Sequence, residues 1–224
     1  MRAEKLPPPL RARALPSAGA ESEAILDGAR RLSRRELPVD TEKLARYLIG
    51  KTLVRRGAKG PIGGRIVETE AYVVGDPSCH GFHGETARNR SLFLERGHAY
   101  VYFIYGCWFS INVAGERSGT GAGVLLRALE PLAGIAEMEK RRSGAAVADL
   151  ARGPGRLATA LGIDRRYDGV DLCASDKLWL AAPVRPVGKI GVSVRIGLSR
   201  EADRLLRFYE RGSPYISGPK RLNR

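Results

Sequence analysis

Hydrophobic and polar residues change their spacing several times along the chain, and each change predicts an element. From Asp40, the run TEKLARYLIG sets Leu44, Tyr47 and Leu48 at i, i+3 and i+4. With Asp40 or Thr41 as N-cap and Gly50 as stop, this predicts a helix. KTLVRR reads as a strand, closed by a Gly/Pro turn. In GGRIVETEAYVV the period falls to two, which assigns Val67, Thr69, Ala71 and Val73 to one apolar face. Ile66, Glu68, Glu70 and Tyr72 fall on the other. Residues 75–98 are polar and contain glycine, a long loop of the kind that is either functional or disordered. AYVYFIY and FSINVAG read as two strands around a tip at Gly106-Cys107, and GAGVLLRALEP as a third. Pro131 predicts the first turn of a helix through about Arg142, and Pro154 opens another that ends near Gly162. GKIGVSVRIGLS alternates, with Ile190, Val192, Val194, Ile196 and Leu198 on one side. No repeat recurs at 20–50 residues. The pattern predicts a single α+β domain, a mainly antiparallel curved sheet flanked by short helices.

Residues 1–20 (PPPLRARALPSAGA and its flanks) show no periodicity, so residues 1–30 are expected to form a flexible arm and 31–224 the domain. Glu4, Glu21 and Glu23 argue against an organellar transit peptide. No apolar run approaches the roughly 20 residues that span a bilayer. There is also no apolar stretch of a signal peptide near residue 1. A cytoplasmic protein with no membrane role is expected, and nothing in the pattern calls for more than a monomer. Cys79, Cys107 and Cys173 are odd in number and widely spaced, so no structural disulfide is expected.

Charge changes the picture most. The net charge is +14, and residues 1–40 hold eight basic and six acidic side chains. Thirty basic against eighteen acidic residues, or +12, therefore sit on residues 41–224. The folded body carries the excess, which favours a polyanionic partner: DNA, RNA or an anionic surface.

Several residue groups can carry chemistry. Glu70 lies on the polar face of a strand, two residues from Tyr72, where a carboxylate is costly to keep unless solvated or paired. Glu68 has the same claim from spacing alone, and either could be a rim carboxylate paired with an arginine. Tyr100, Tyr102, Phe103, Tyr105, Trp108 and Phe109 cluster. Such clusters commonly pack in cores, but Tyr105 falls at the hairpin tip and on the face opposite Tyr102. An exposed aromatic on a basic body suits base stacking or wedging. Cys79, His80 and His83 match no zinc spacing and lack an evident fourth ligand, so no metal is expected. Arg152-Gly153-Pro154-Gly155-Arg156 opens a helix, where free N–H groups and arginines can meet a phosphate, and Arg88 and Arg90 form a second basic group. Without a Walker loop or dinucleotide glycine motif, no nucleotide cofactor is expected.

RIVETEAY (65–72), TARNR (86–90), YVYFIYGCWFSIN (100–112), VLLRALEP (124–131), GPGRL (153–157) and RFYERGSP (207–214) occur in this order. In these six blocks, from about residue 41 to 217, the chain resembles the alkyladenine (3-methyladenine) DNA glycosylases. The resemblance implies a monofunctional enzyme of base excision repair that acts without cofactor on double-stranded DNA containing damaged purines, with nucleoid association in a bacterium. It implies that an alkylated purine (3-methyladenine, 7-methylguanine, hypoxanthine or ethenoadenine) is flipped out and its N-glycosidic bond hydrolysed. It selects Glu70 over Glu68 as the residue that activates water and sets Arg127 beside that water. It implies a base pocket of Tyr72, His80, Tyr102 and Asn112, and a wedge at Tyr105. Cys107 and Trp108 depart from the residues common beside the wedge. No lysine lies in the matched site blocks, so Schiff-base lyase chemistry is not expected. The rival readings are a non-catalytic nucleic-acid-binding domain with a structural Glu70, and a metal-dependent hydrolase built on Cys79, His80 and His83.

Overall fold

The computed structural model describes Leu26 and residues 28–223. Most of the arm expected over 1–30, namely residues 1–25 and 27, lies outside the described residues. Leu26 is buried with Val54, Ala133, Trp179 and Ala181, and Ala29 packs on them.

The expected α+β architecture is present. Helix α1 (Thr41–Leu48) starts where its N-cap demands, with the Asp40 carboxylate accepting from Lys43 N. Leu44, Ala45 and Leu48 form its buried stripe. Strands β1 (Thr52–Gly57), β2 (Gly60–Tyr72), β3 (Ala99–Ile104), β4 (Trp108–Ala114) and β5 (Gly123–Ala133) follow. Next come α2 (Ile135–Arg141), α3 (Pro154–Leu161), β6 (Leu178–Ala181), β7 (Ile190–Ser193) and β8 (Arg207–Glu210). All pairings are antiparallel, in the order β3-β4-β5-β2-β1-β6. Along one edge β2 pairs with β5; along the other it leaves β1 after Arg65 and takes up β8 at Glu68. The handover curls the sheet and leaves the C-terminal half of β2 buried on both faces. The main core lies between the sheet and the helices, where Leu44, Leu48, Leu157 and Leu161 meet Ile66, Ile111, Val124 and Leu126.

Three expectations are corrected. Pro131 does not begin a helix: it pairs with Gly64 next to a register shift near the end of β5, where a missing N–H is tolerated, and α2 begins at Ile135 after left-handed Gly134. The alternating run 190–198 is a strand only to Ser193, and its more buried members are Gly191, Ser193 and Arg195. The two faces of β2 are also not those of simple alternation. Val67 has no partner opposite it on β5, whereas Ile66 pairs with Leu129 and Glu68 with Ala128. This bulge puts Ile66 into the main core with Ala71, and Val67 into the cluster of Ala128, Tyr209 and Ile216. Strands β6 and β8, short and without alternation, were not expected.

Candidate active site

A second irregularity sits directly across from the first. Thr69 pairs with Leu126 and Glu68 with Ala128, so Arg127 is the extra residue on β5. A bulge re-aims its side chain. Here it turns Arg127 toward Glu68 and Glu70: Nε donates to Glu68 Oε1 at 2.9 Å, Nη1 to Glu70 Oε2 at 3.2 Å, and Nη2 to Ser217 Oγ at 3.2 Å.

The two glutamates, both fully buried, differ in their surroundings. Glu68 Oε1 accepts from Arg127, from Arg207 Nε at 2.7 Å and from Ser217 Oγ at 3.0 Å, while Oε2 accepts from Ser217 N. Burial opposes its charge, but the Arg127 and Arg207 guanidiniums outweigh it and hold the carboxyl below the usual range. Glu70 Oε1 accepts from Ile196 N at 2.7 Å, and Oε2 from the Tyr72 hydroxyl at 3.0 Å and Arg127. For Glu70 burial wins, and its proton affinity rises above the usual carboxylate range despite Arg127 and the Ile196 N–H. A carboxylate whose proton affinity is raised is the stronger base of the two.

In front of this pair lies a cavity of about 440 Å³, within the range of small-molecule sites. Glu70 stands behind the wall; its three partners Tyr72, Arg127 and Ile196 line it. Tyr102, His80 and Asn112 line it too. The His80 ring meets Tyr102 edge-on at 4.5 Å between centroids, and its Nδ1 lies 2.8 Å from the Tyr100 hydroxyl. Burial, with Arg88 nearby, lowers the proton affinity of His80 and keeps it neutral. Asn112 Nδ2 donates to Tyr100 O at 3.2 Å, which fixes the amide in the wall.

Tyr105 stands at the rim with 82% of its surface exposed. It has φ 54° and Gly106 φ 69°, in a turn closed by Cys107 N donating to Ile104 O. A left-handed aromatic residue is strained by about 1–3 kcal/mol, and the hairpin retains it at the one place where its ring projects outward. Across the rim, α3 starts at left-handed Gly153. A Cβ on Gly155 would lie 3.1 Å from the Trp108 ring, so glycine there lets the helix start reach the hairpin. Arg156, Arg88 and Arg90 are exposed. Arg152 is committed inward, with Nε donating to Ile216 O at 2.8 Å and Nη1 near Asp149.

Residues 35–214 match the family described as Methylpurine-DNA glycosylase. The chain belongs to this family. As a methylpurine-DNA glycosylase family member it is 60% identical over 191 residues to a protein of Mesorhizobium japonicum, covering 85% of this chain and 92% of that one. It is 50% identical to one of Paraburkholderia phytofirmans, covering 85% and 90%. Both relatives carry 3-methyladenine DNA glycosylase in their names. The family and these relatives make this chain a DNA glycosylase. No helix among the described residues is long and apolar enough to cross a membrane.

Pattern reading missed four residues that build the glycosylase site. Asn89, buried between Arg88 and Arg90, accepts from Thr86 N and Oγ1 and donates to His80 O and Gly84 O, which fixes the loop that delivers His80. Arg207 and Ser217 reach Glu68 from strand β8 and the segment after it. Arg195 pairs with Asp76, donates to Ala71 O at 3.0 Å and lies 4.7 Å from the Tyr72 ring centroid. Two of the matched blocks held a signal: TARNR contains Asn89 and RFYERGSP contains Arg207. Cys79 is buried beside Tyr100, and no group of three His, Cys, Asp or Glu side chains converges among the described residues.

Proposed function

We propose that this DNA glycosylase extrudes alkylated purines from duplex DNA and hydrolyses their N-glycosidic bond with a water activated by Glu70. The observation that carries this reading is the division of labour between two buried carboxylates. Glu68 is saturated by four hydrogen bonds from three residues. Glu70 has raised proton affinity and is separated from an aromatic cavity only by its own partners.

The attacking water takes its place between Glu70 and the cavity, at the lone pair that Oε1 keeps beside the Ile196 N–H, since Oε2 already accepts from Tyr72 and Arg127. Glu70 accepts its proton as the oxygen bonds to C1′. The C1′–N9 bond breaks, and its electron pair neutralises the cationic ring of an N3- or N7-alkylated purine. Glycosidases commonly need an acid as well as a base, but a cationic base leaves without being protonated. The electron-rich rings of Tyr72 and Tyr102 contribute about 0.5–2 kcal/mol of cation–π attraction to such a base. Flipping costs a few kcal/mol. Tyr105, placed as a wedge in the vacated stack, offsets part of it, since stacking is worth about 1–3 kcal/mol per base. In this reading the exposed Arg88, Arg90 and Arg156 and the backbone at Gly153 meet backbone phosphates, whereas the inward-committed Arg152 does not. No lysine among the described residues lines the cavity, which supports a monofunctional enzyme. Residues 31–224, with Leu26 and Ala29 packed on them, act as one domain and one monomer.

The test is chromatographic. Purified protein incubated with dimethyl-sulfate-treated duplex DNA is expected to release free 3-methyladenine, and intact DNA binding without release of any base would overturn the reading. The Tyr72 hydroxyl stabilises the Glu70 anion. Tyr72→Phe is therefore expected to move the acid limb of the pH–rate profile upward, since Glu70 then ionises at higher pH.

A further inference from the structure

We infer that Glu68 is a positioning residue for glycosidic cleavage, which clamps Arg127 in its bulge and, with Arg207, balances the charge around Glu70. The inference rests on Glu70 being the base. Two carboxylates, Glu68 and Glu70, and two guanidiniums, Arg127 and Arg207, are buried together as a linear chain: Arg207 to Glu68 to Arg127 to Glu70. The chain is neutral as a whole. Glu68 stands between its two arginines, and it is the one carboxylate of the chain that both share.

Each contact of Arg127 has a distinct consequence. Its Nε on Glu68 and its Nη2 on Ser217 Oγ fix the guanidinium plane, so that Nη1 faces Glu70 Oε2. Ser217 is in turn held by Glu68 through both its N–H and its hydroxyl. Arg207 fastens the far end: Nη1 donates to Ser193 Oγ and Leu222 O, and Nη2 to Ser217 O and Asn223 Oδ1. A carboxylate at position 68 thus locks β2, β5, β8 and the C-terminal segment onto one guanidinium. It also competes with Glu70 for the field of that guanidinium. Without it, Arg127 would neutralise Glu70 alone and weaken it as a base.

The groups facing Glu70 from each element are few. They are Glu68 and Tyr72 from β2, Arg127 from β5, Tyr102 from β3 and the Ile196 N–H from the segment after β7. Arg207 of β8 stands opposite Glu70 in the β2–β8 register and turns its guanidinium to Glu68. Arg195 lies against Tyr72 and is paired with Asp76. Among these, Glu68 is the carboxylate whose charge can be removed without touching the cavity, because it does not line it.

The experiment is a pH–rate profile of 3-methyladenine release from alkylated duplex under single-turnover conditions, with thermal melts of every variant. Glu68→Gln is expected to move the acid limb down by on the order of one pH unit, because a like charge near Glu70 is gone. The plateau rate is expected to fall about three- to tenfold as the base weakens, with duplex affinity unchanged. The double variant E68Q/R207M restores charge balance around Arg127 and Glu70, and its limb is expected to return toward the wild-type position. A merely structural Glu68 would lower the melting temperature and leave the limb in place, which overturns the inference. Failure of both variants to fold overturns it too, since Glu68 is then a folding element first. Glu70→Gln run alongside separates the two ideas. If Glu70→Gln still releases base, the assignment of the base fails; if it is inactive while Glu68→Gln keeps the wild-type limb, only the positioning role fails.

Discussion

Glu70→Gln is expected to reduce release of alkylated purines by about 10²–10⁴-fold, the usual contribution of a positioned general base, while duplex binding stays at the wild-type level. Glutamine keeps one acceptor oxygen where the carboxylate has two, and cannot take a proton. Because Glu70 lies behind the cavity wall, the substitution leaves the DNA-facing surface unaltered. Stability is expected to change little in comparison: the raised proton affinity of Glu70 means that its anion is disfavoured by folding. The sign is the reverse of an ordinary ion-paired carboxylate. The contribution of Glu70 to stability is fully present below its unfolded pKa and is lost as pH rises through its folded pKa. Activity runs the other way and rises with pH through that same folded value. Single-turnover release against pH, paired with gel-shift binding, checks both. Wild-type release by the variant would move the base elsewhere.

Asp76→Asn is expected to be the most destabilising single change near the site, by about 3–5 kcal/mol, because it leaves a buried arginine without its counter-charge. For a domain of this size each kcal/mol shifts Tm by about 2–4 °C, so a loss of about 6–20 °C should appear in a thermal melt. Asp76 and Arg195 are both fully buried as side chains. Arg195 Nε and Nη2 have no hydrogen-bond acceptor among the described residues, so it relies on Asp76, Ala71 O and the Tyr72 ring. The double change Asp76→Leu with Arg195→Met removes both charges and is expected to recover most of the lost stability, as apolar replacements of buried pairs often do. The pair also ties the segment holding Ile196 to β2 beside Glu70. Asp76→Asn should therefore lower the cleavage rate as well, through a displaced Ile196 N–H. A melt within 2 °C of wild type would show that the pair contributes nothing net.

The α+β class, helix α1 with its Asp40 cap, α3 between Pro154 and Gly162, and strands β1 to β5 were legible in the sequence, because each rests on local periodicity and end signals. So was the exposed aromatic at the tip: odd spacing separates Tyr105 from Tyr102, and a two-strand hairpin leaves its turn outside. The matched blocks gathered Glu70, Arg127, Tyr72, Tyr102 and Asn112, the resemblance added His80 of the long loop, and the fold brings these six to one cavity or directly behind it. Pattern alone could not separate Glu68 from Glu70. Both lie on one face at the same period, and their difference comes from what approaches from other segments: Arg207 and Ser217 at one, the Ile196 N–H at the other, where the neighbouring Tyr72 hydroxyl joins it. Nor could alternation foresee the paired irregularities at Val67 and Arg127, which exchange Ile66 and Val67 between faces and swing the arginine toward both glutamates. Arg195 sits in an alternating run as if facing water, yet is buried against Asp76, more than a hundred residues earlier. The sequence by itself determined which elements form and which residue types reach the site, because those depend on neighbours along the chain. The tertiary structure alone decided which carboxylate is neutralised and which is left poised, because desolvation and charge pairing depend on groups brought together from distant strands.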